Sequence, residues 1–207
     1  MFHDINLPLI LLAALIATVS PGPATLALAG TSMGAGRTAG LFLAGGITTG
    51  SLIWSISAAA GLGAAMAANA WLLETIRYFG AGYLLFLAWK SARSAFSKKD
   101  VKPKQIRGSN RTLYFKGLAL HLTNPKAILF FGSLYSIGVP VSASPLQLAL
   151  VVAAVGVQSL VLFHAYALFF SIPVLNKGYV KLRRWFEAAF SIGFGLAGLK
   201  VMTAKLQ

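Results

Sequence analysis

Long apolar runs separated by short polar stretches dominate this chain. Windows of about 20 residues, the length that crosses a bilayer as a helix, fit at roughly 7–33, 40–67, 71–90, 115–139, 145–173 and 186–203. Six such helices account for most of the 207 residues, and nothing is left for a soluble domain of useful size. The pattern predicts a single all-α, polytopic membrane domain over residues 1–207. Its one extended polar segment, Ser97 to Arg111, divides the spans three and three. Residues 1–96 then form a first three-helix half, 97–114 a basic loop, and 115–207 a second half.

Two of the predicted spans carry helix breakers. Pro21 and Pro23 flank Gly22 in the first, and Pro125 follows Asn124 in the fourth. A proline inside a helix removes one backbone donor and clashes with the preceding turn, at a cost of about 3 kcal/mol or more. In lipid the freed carbonyl has no water to turn to. Pro21 frees the carbonyl of Ala17, Pro23 that of Val19 and Pro125 that of His121. Ser20 and Gly22, each before a proline, are also pushed from helical dihedrals. Broken backbone at membrane depth persists only where it is packed inside protein or lines a wet cavity. Helices 1 and 4 are therefore expected to break at their prolines, and the breaks mark the working part. Pro23 and Pro125 lie 102 positions apart, near half the length. A three-span unit reverses direction when repeated, so the halves are expected to be inverted repeats with a site where the broken helices meet.

Composition sharpens the membrane reading. The chain is 57% hydrophobic and only 11% charged, against about 25% charged in soluble domains. The net charge of +14 would suit nucleic acid, but its distribution argues for topology. Nine basic residues lie between spans three and four (Lys90, Arg93, Lys98, Lys99, Lys102, Lys104, Arg107, Arg111 and Lys116). Lys177, Lys181, Arg183 and Arg184 lie between spans five and six, Arg37 between the first two, and Lys126 near the start of the fourth. These fifteen of the 18 fall on one side of a six-span arrangement. The positive-inside rule puts them in the cytoplasm and both termini outside, with membrane lipid as their partner and no nucleic acid. The start lacks the positive n-region of a signal peptide and reads as a retained first helix. No cysteine is present, which removes thiol redox chemistry and thiolate metal sites. Glycines 40, 45, 46 and 50 provide small faces for close helix approach, within one subunit or across a homodimer. Gly193 to Gly198 matches GxGxxG, but no strand precedes it and no dinucleotide site is read from it.

Candidate chemistry concentrates at the breaks. The four acids are Asp4, Glu74, Asp100 and Glu187. The first and third fall in tail and loop, and Glu74 and Glu187 are expected at helix ends beside arginines. With no carboxylate expected near the bilayer centre, paired-acid catalysis, metal sites and a carboxylate relay are disfavoured, and no Ser/His/acid set can be assembled. The chain is not read as an enzyme, and no cofactor is expected. Past each break a half-helix starts, and its first amides carry partial positive charge toward the gap. Lys126 could add a full charge for a substrate carboxylate, or could snorkel to the surface; the sequence leaves both open. His121 and His164 are the titratable groups expected inside the membrane region. Thr48, Thr49, Ser51 and Gln158 add polar groups in spans two and five. The candidate binding set is Pro21, Gly22, Pro23, Thr48, Ser51, His121, Asn124, Pro125 and Lys126.

Ser20-Pro21-Gly22-Pro23, Gly36-Arg37-Thr38-Ala39-Gly40 and the run Asn124-Pro125-Lys126-Ala127-Ile128-Leu129-Phe130-Phe131 resemble the signatures of the lysine exporter and homoserine–threonine exporter (LysE/RhtB) superfamily. The stretch from Gly80 to Lys90 resembles it too, and the likeness covers nearly the whole chain. It implies an exporter of amino acids or close derivatives in the bacterial inner membrane, with six spans and coupling to protons or the membrane potential. Many relatives carry an acid in the second span where this chain has Ser51. A site without that acid suits a dibasic substrate poorly, so neutral amino acids such as homoserine, threonine or leucine are expected. The other reading is a non-transporting scaffold or sensor acting through the basic loop.

Overall fold

A computed structural model describes residues 5–20, 22–68, 70–97, 105–140 and 142–203. Among them every regular element is a helix: α1 (Leu7–Val19), α2 (Pro23–Ala68), α3 (Ala70–Phe96), α4 (Asn110–Leu122), α5 (Pro125–Gly138), α6 (Pro145–Phe170) and α7 (Pro173–Thr203). Two are long and apolar enough to cross a bilayer alone, Pro23–Gly61 of α2 and Pro145–Phe170. Leu7–Val19 and Lys126–Tyr135 are equally apolar but short.

The helix starts follow from local chemistry. Pro8, Pro125 and Pro145 each lie in the first turn of a helix, where the missing N–H has no intrahelical partner to lose. Asn6, Ser109, Asn124 and Ser144 cap the adjacent amides with side-chain oxygens. Ser144 and Gln147 complete a reciprocal capping box. Both expected proline breaks are present: α1 stops at Val19 and helix resumes at Pro23, while α4 stops at Leu122 and resumes at Pro125. Pro21 lies outside the described residues.

Three boundaries differ from the sequence reading. Where a loop was expected between the first two spans, α2 turns at a single residue, Gly36, with φ +86°. That left-handed region is open to glycine at little cost, and Arg37 beside it is exposed. The third span runs past Lys90 to Phe96, and the sixth begins at Pro173 rather than near 186. Apolar windows find only the part of a helix that needs lipid. The basic turns of α3 and α7 stay helical because nothing in them breaks the backbone ladder.

One core cluster joins α1, α3, α5, α6 and α7 around Ile10, Leu84, Leu134, Tyr135 and Phe194. A second joins α2 and α6 around Leu28, Leu43, Ile47, Phe163 and Ala167. Large apolar side chains such as Phe79, Ile192 and Leu196 are exposed instead, at 77%, 65% and 65%, as expected of lipid-facing surface.

Glycine permits the tightest approach, between α2 and α4. A Cβ on Gly46 would lie 1.9 Å from the Tyr114 carbonyl oxygen, and one on Gly117 2.4 Å from that of Leu43. Without a hydrophobic drive between helices in lipid, such contact supplies the packing, and Thr49 Oγ1 adds a 2.8 Å hydrogen bond with Tyr114 OH. Gly46→Ala is expected to force the pair apart at a cost of about 1–3 kcal/mol, visible as a lower unfolding temperature in detergent. Gly61→Ala, which meets nothing within 4 Å, serves as the control. Equal unfolding temperatures for the two variants would refute close packing at Gly46.

Candidate functional site

The two breaks face each other. At the end of α1, Ser20 adopts extended backbone (φ −68°, ψ 134°), and its N–H bonds back to the Ile16 carbonyl. Across the gap, the Gly22 carbonyl accepts the Leu26 N–H at 2.9 Å, so Gly22 opens α2. At the second break the Asn124 carbonyl accepts from Ala127 and Ile128, and its Oδ1 accepts from the Lys126 N–H at 3.0 Å.

The freed carbonyls find new donors. Tyr166 OH on α6 donates to the Val19 carbonyl at 3.3 Å, and the Asn124 N–H donates to that of His121 at 3.2 Å. Gln158 Nε2 reaches the Leu11 carbonyl at 2.9 Å, tying α6 to α1. An unsatisfied group in hydrocarbon costs several kcal/mol, so these bonds let interrupted backbone persist inside the protein.

Lys126 connects the breaks. From the first turn of α5 its ammonium donates to the Ser20 carbonyl at 3.0 Å and to Ser20 Oγ in a second, short contact. Of the two orientations left open by the sequence, the structure has the inward one. Lys126 thus lies between the two breaks and does not snorkel to the surface. Gly22 leaves it room: a Cβ there would come 3.3 Å from Lys126 Cδ.

A chamber opens beside this bridge. Gly22, Thr25, Ser51, His121, Asn124 and Lys126 provide its polar lining, together with Ser159. Phe130, Phe131, Val155 and Phe163 provide apolar wall. Its cavity volume is ≈ 50 Å³. The chamber is small in this conformation, and it combines apolar surface with a few convergent polar groups, the usual make-up of a small-molecule site. The Ser51 and Ser159 hydroxyls hydrogen-bond each other at 2.9 Å. His121 is 5% exposed, neither ring nitrogen has a partner among the described residues, and its ring stands edge-on to Phe163 at 5.8 Å.

The structure therefore brings Gly22, Ser51, His121, Asn124 and Lys126 together. Pro23 lines a different cavity, with Arg107 and Lys116. Thr48 does not line the chamber, and its buried hydroxyl has no partner among the described residues. Pro125 starts α5, but its side chain and the whole of Pro21 lie outside what is described. His164 is satisfied by the Leu160 carbonyl at 2.8 Å and is absent from the lining. Sequence reasoning missed Ser20, Thr25 and Ser159. The signal for Ser159 was present: the buried stripe of α6 runs Val151, Val155, Ser159, Phe163, Ala167, and a hydroxyl interrupts it.

Glu187 corrects an expectation. Expected at a helix end, it lies within α7 (Pro173–Thr203), is 4% exposed, and accepts a 2.8 Å hydrogen bond from Ser94 Oγ. Helix α7 starts earlier than its apolar part, which shifts Glu187 from the end to the middle. Glu74's side chain lies outside the described residues.

Comparison with known proteins accords with this geometry. The profile of the family described as "LysE type translocator" matches residues 15–205. The chain is 30% identical over 189 residues to the threonine efflux protein of Salmonella typhi, covering 88% of this chain and 91% of that protein. It is 30% identical over 188 residues to the threonine efflux protein of Escherichia coli K12, with the same coverage. It is 29% identical over 198 residues to the leucine efflux protein of Enterobacter sp. strain 638, covering 96% of this chain and 92% of that one. No solved structure matches it. With nearly its whole length matched, the chain belongs to the LysE type translocator family, and it is a membrane translocator rather than an enzyme.

Proposed function

We propose that this protein exports neutral amino acids across the cell membrane by alternating access, binding them in the chamber between the two broken helices. The names of the relatives, threonine and leucine efflux proteins, support the substrate class. The observation that carries the site is the ammonium of Lys126, turned inward onto Ser20 at the opposite break.

A substrate carboxylate would find there a full positive charge beside the partial positive charge at the start of α5. An ammonium is attracted to a carboxylate, a full opposite charge in a low-dielectric site, more strongly than to the neutral oxygens of Ser20, so a carboxylate displaces them from Lys126. That exchange transfers the bridge from protein to substrate. With the Lys126–Ser20 bridge released, the two halves can rock about the bound solute and expose it to the other side. No carboxylate lines the chamber among the described residues, so a second cationic group on the substrate would have no counter-charge.

In this reading α1 with the first part of α2 forms one interrupted crossing, and α4 with α5 another. Six crossings follow, as inverted repeats of one membrane domain, with Arg107, Arg111 and Lys116 on the cytoplasmic side and both termini outside. The matched order of a broken first span and a glycine-rich third span in each half supports this.

Lys126→Ala is expected to lower the initial rate of threonine efflux from proteoliposomes about tenfold to a hundredfold, the loss of one charged hydrogen bond worth ~1.5–3 kcal/mol. Amino alcohols, which lack the carboxylate, are expected not to inhibit. Unimpaired efflux in the variant, or inhibition by threoninol matching threonine, would remove Lys126 from the site. Orientation is open to a separate check, because the chain contains no cysteine. A cysteine at Ser109 should react with an impermeant thiol reagent only in inside-out vesicles, and one at Thr203 only in right-side-out vesicles. The reverse pattern would invert the topology.

A further inference from the structure

We propose that Ser51, Ser159 and His121 form a subsite that reads a hydroxyl group on the side chain of the transported amino acid. This rests on the chamber being the transport site.

The three residues come from α2, α6 and α4, are at most 5% exposed, and line the same chamber. Their hydrogen-bonding is incomplete in a specific way. Several hydroxyls elsewhere in the bundle spend their proton on the carbonyl four residues back, Thr49 on Gly45, Thr123 on Ala119 and Ser133 on Leu129, and Ser55 pairs with the Tyr135 hydroxyl away from the chamber lining. Ser51 and Ser159 instead turn to each other. That bond uses one of their two protons and leaves the other, with free lone pairs, facing the chamber. A neutral imidazole carries one donor and one acceptor, and in His121 both lack a partner. Other polar side chains of the lining are engaged elsewhere, Thr25 on the Thr18 carbonyl, Asn124 on the Lys126 N–H and Lys126 on Ser20, while Val155 and Phe163 are apolar.

What remains is a demand for a group that both donates and accepts in one small volume. A hydroxyl does this; a methyl of the same size leaves the second serine proton and both His121 nitrogens without a partner. Sites built to hydrogen-bond a substrate hydroxyl reject the analogue lacking it far more strongly than apolar pockets reject an added methylene. The subsite therefore selects hydroxylated neutral amino acids over aliphatic ones, and Lys126 acts on the carboxylate that all of them share.

Threonine and valine differ only by a hydroxyl in place of a methyl, which makes them the direct probes. In proteoliposomes of the wild-type protein, threonine is expected to outcompete valine by about tenfold or more, a modest share of what hydroxyl-reading sites achieve. In the Ser51→Ala/Ser159→Ala double variant the ratio should fall to about threefold or less, and His121→Phe should lower it as well. Thermal shifts of the purified wild type with each amino acid give the same comparison without any variant. Equal treatment of threonine and valine by the wild type would overturn the subsite. So would variants that depress both by the same factor, the result expected if these groups hold the shared ammonium or only pack. Failure of the wild type to move any amino acid above protein-free vesicles would instead overturn the transport reading itself.

Discussion

A single ammonium group holds the two interrupted helices against each other. Lys126 sits one residue inside α5, and its side chain reaches Ser20 at the end of α1. Each break leaves backbone groups without helical partners, and each would be untenable in lipid alone. Bringing the breaks face to face lets one lysine satisfy the Ser20 oxygens while Tyr166 and Asn124 satisfy neighbouring carbonyls. The charge is tolerated for the same reason the breaks are: each supplies what the other lacks.

The rest of the bundle serves to keep that arrangement narrow. Gly46 and Gly117 let α2 and α4 touch at backbone distance, which carries His121 and Ser51 to the same chamber. Gly50 extends this seam, for a Cβ there would meet His121 Cβ at 2.9 Å. On the far side α6 brings Ser159, Tyr166 and Gln158 on neighbouring turns, tied into α1 and α2. A chamber lined by groups from five helices follows from packing of small residues, not from any one motif. Its polar groups differ in how far they are satisfied, and that difference separates the scaffold from the parts left for a solute. Thr49, His164 and Gln158 Nε2 are committed to the fold. His121 and the Ser51–Ser159 pair retain unused capacity.

Much of this was legible in the sequence because proline acts locally. Pro23 and Pro125 fix helix starts whatever surrounds them, so both breaks could be read from residue type and spacing. Asn124 as a cap and the glycines as close-packing points were legible for the same reason. The direction of the Lys126 side chain was not, because a turn of helix decides between cytoplasm and chamber, and only the packed position of Gly22 makes room inside. Ser159 was hidden because a serine in an apolar helix gains meaning only from what it faces. Glu187 was misplaced because hydropathy marks where a helix meets lipid and not where it starts; the basic turns from Lys177 onward continue α7 unseen. Thr48 illustrates the opposite error: three residues from chamber-lining Ser51, it does not line the chamber itself.

The central claim is that a substrate carboxylate takes over the lysine that now holds Ser20. The direct measurement is an experimental structure, in a lipid nanodisc with saturating threonine, resolved well enough to place the ligand. The account requires the carboxylate within hydrogen-bonding distance of Lys126 Nζ and the Ser20 oxygens released from it. A ligand bound elsewhere, with the Lys126–Ser20 contact intact, would contradict it.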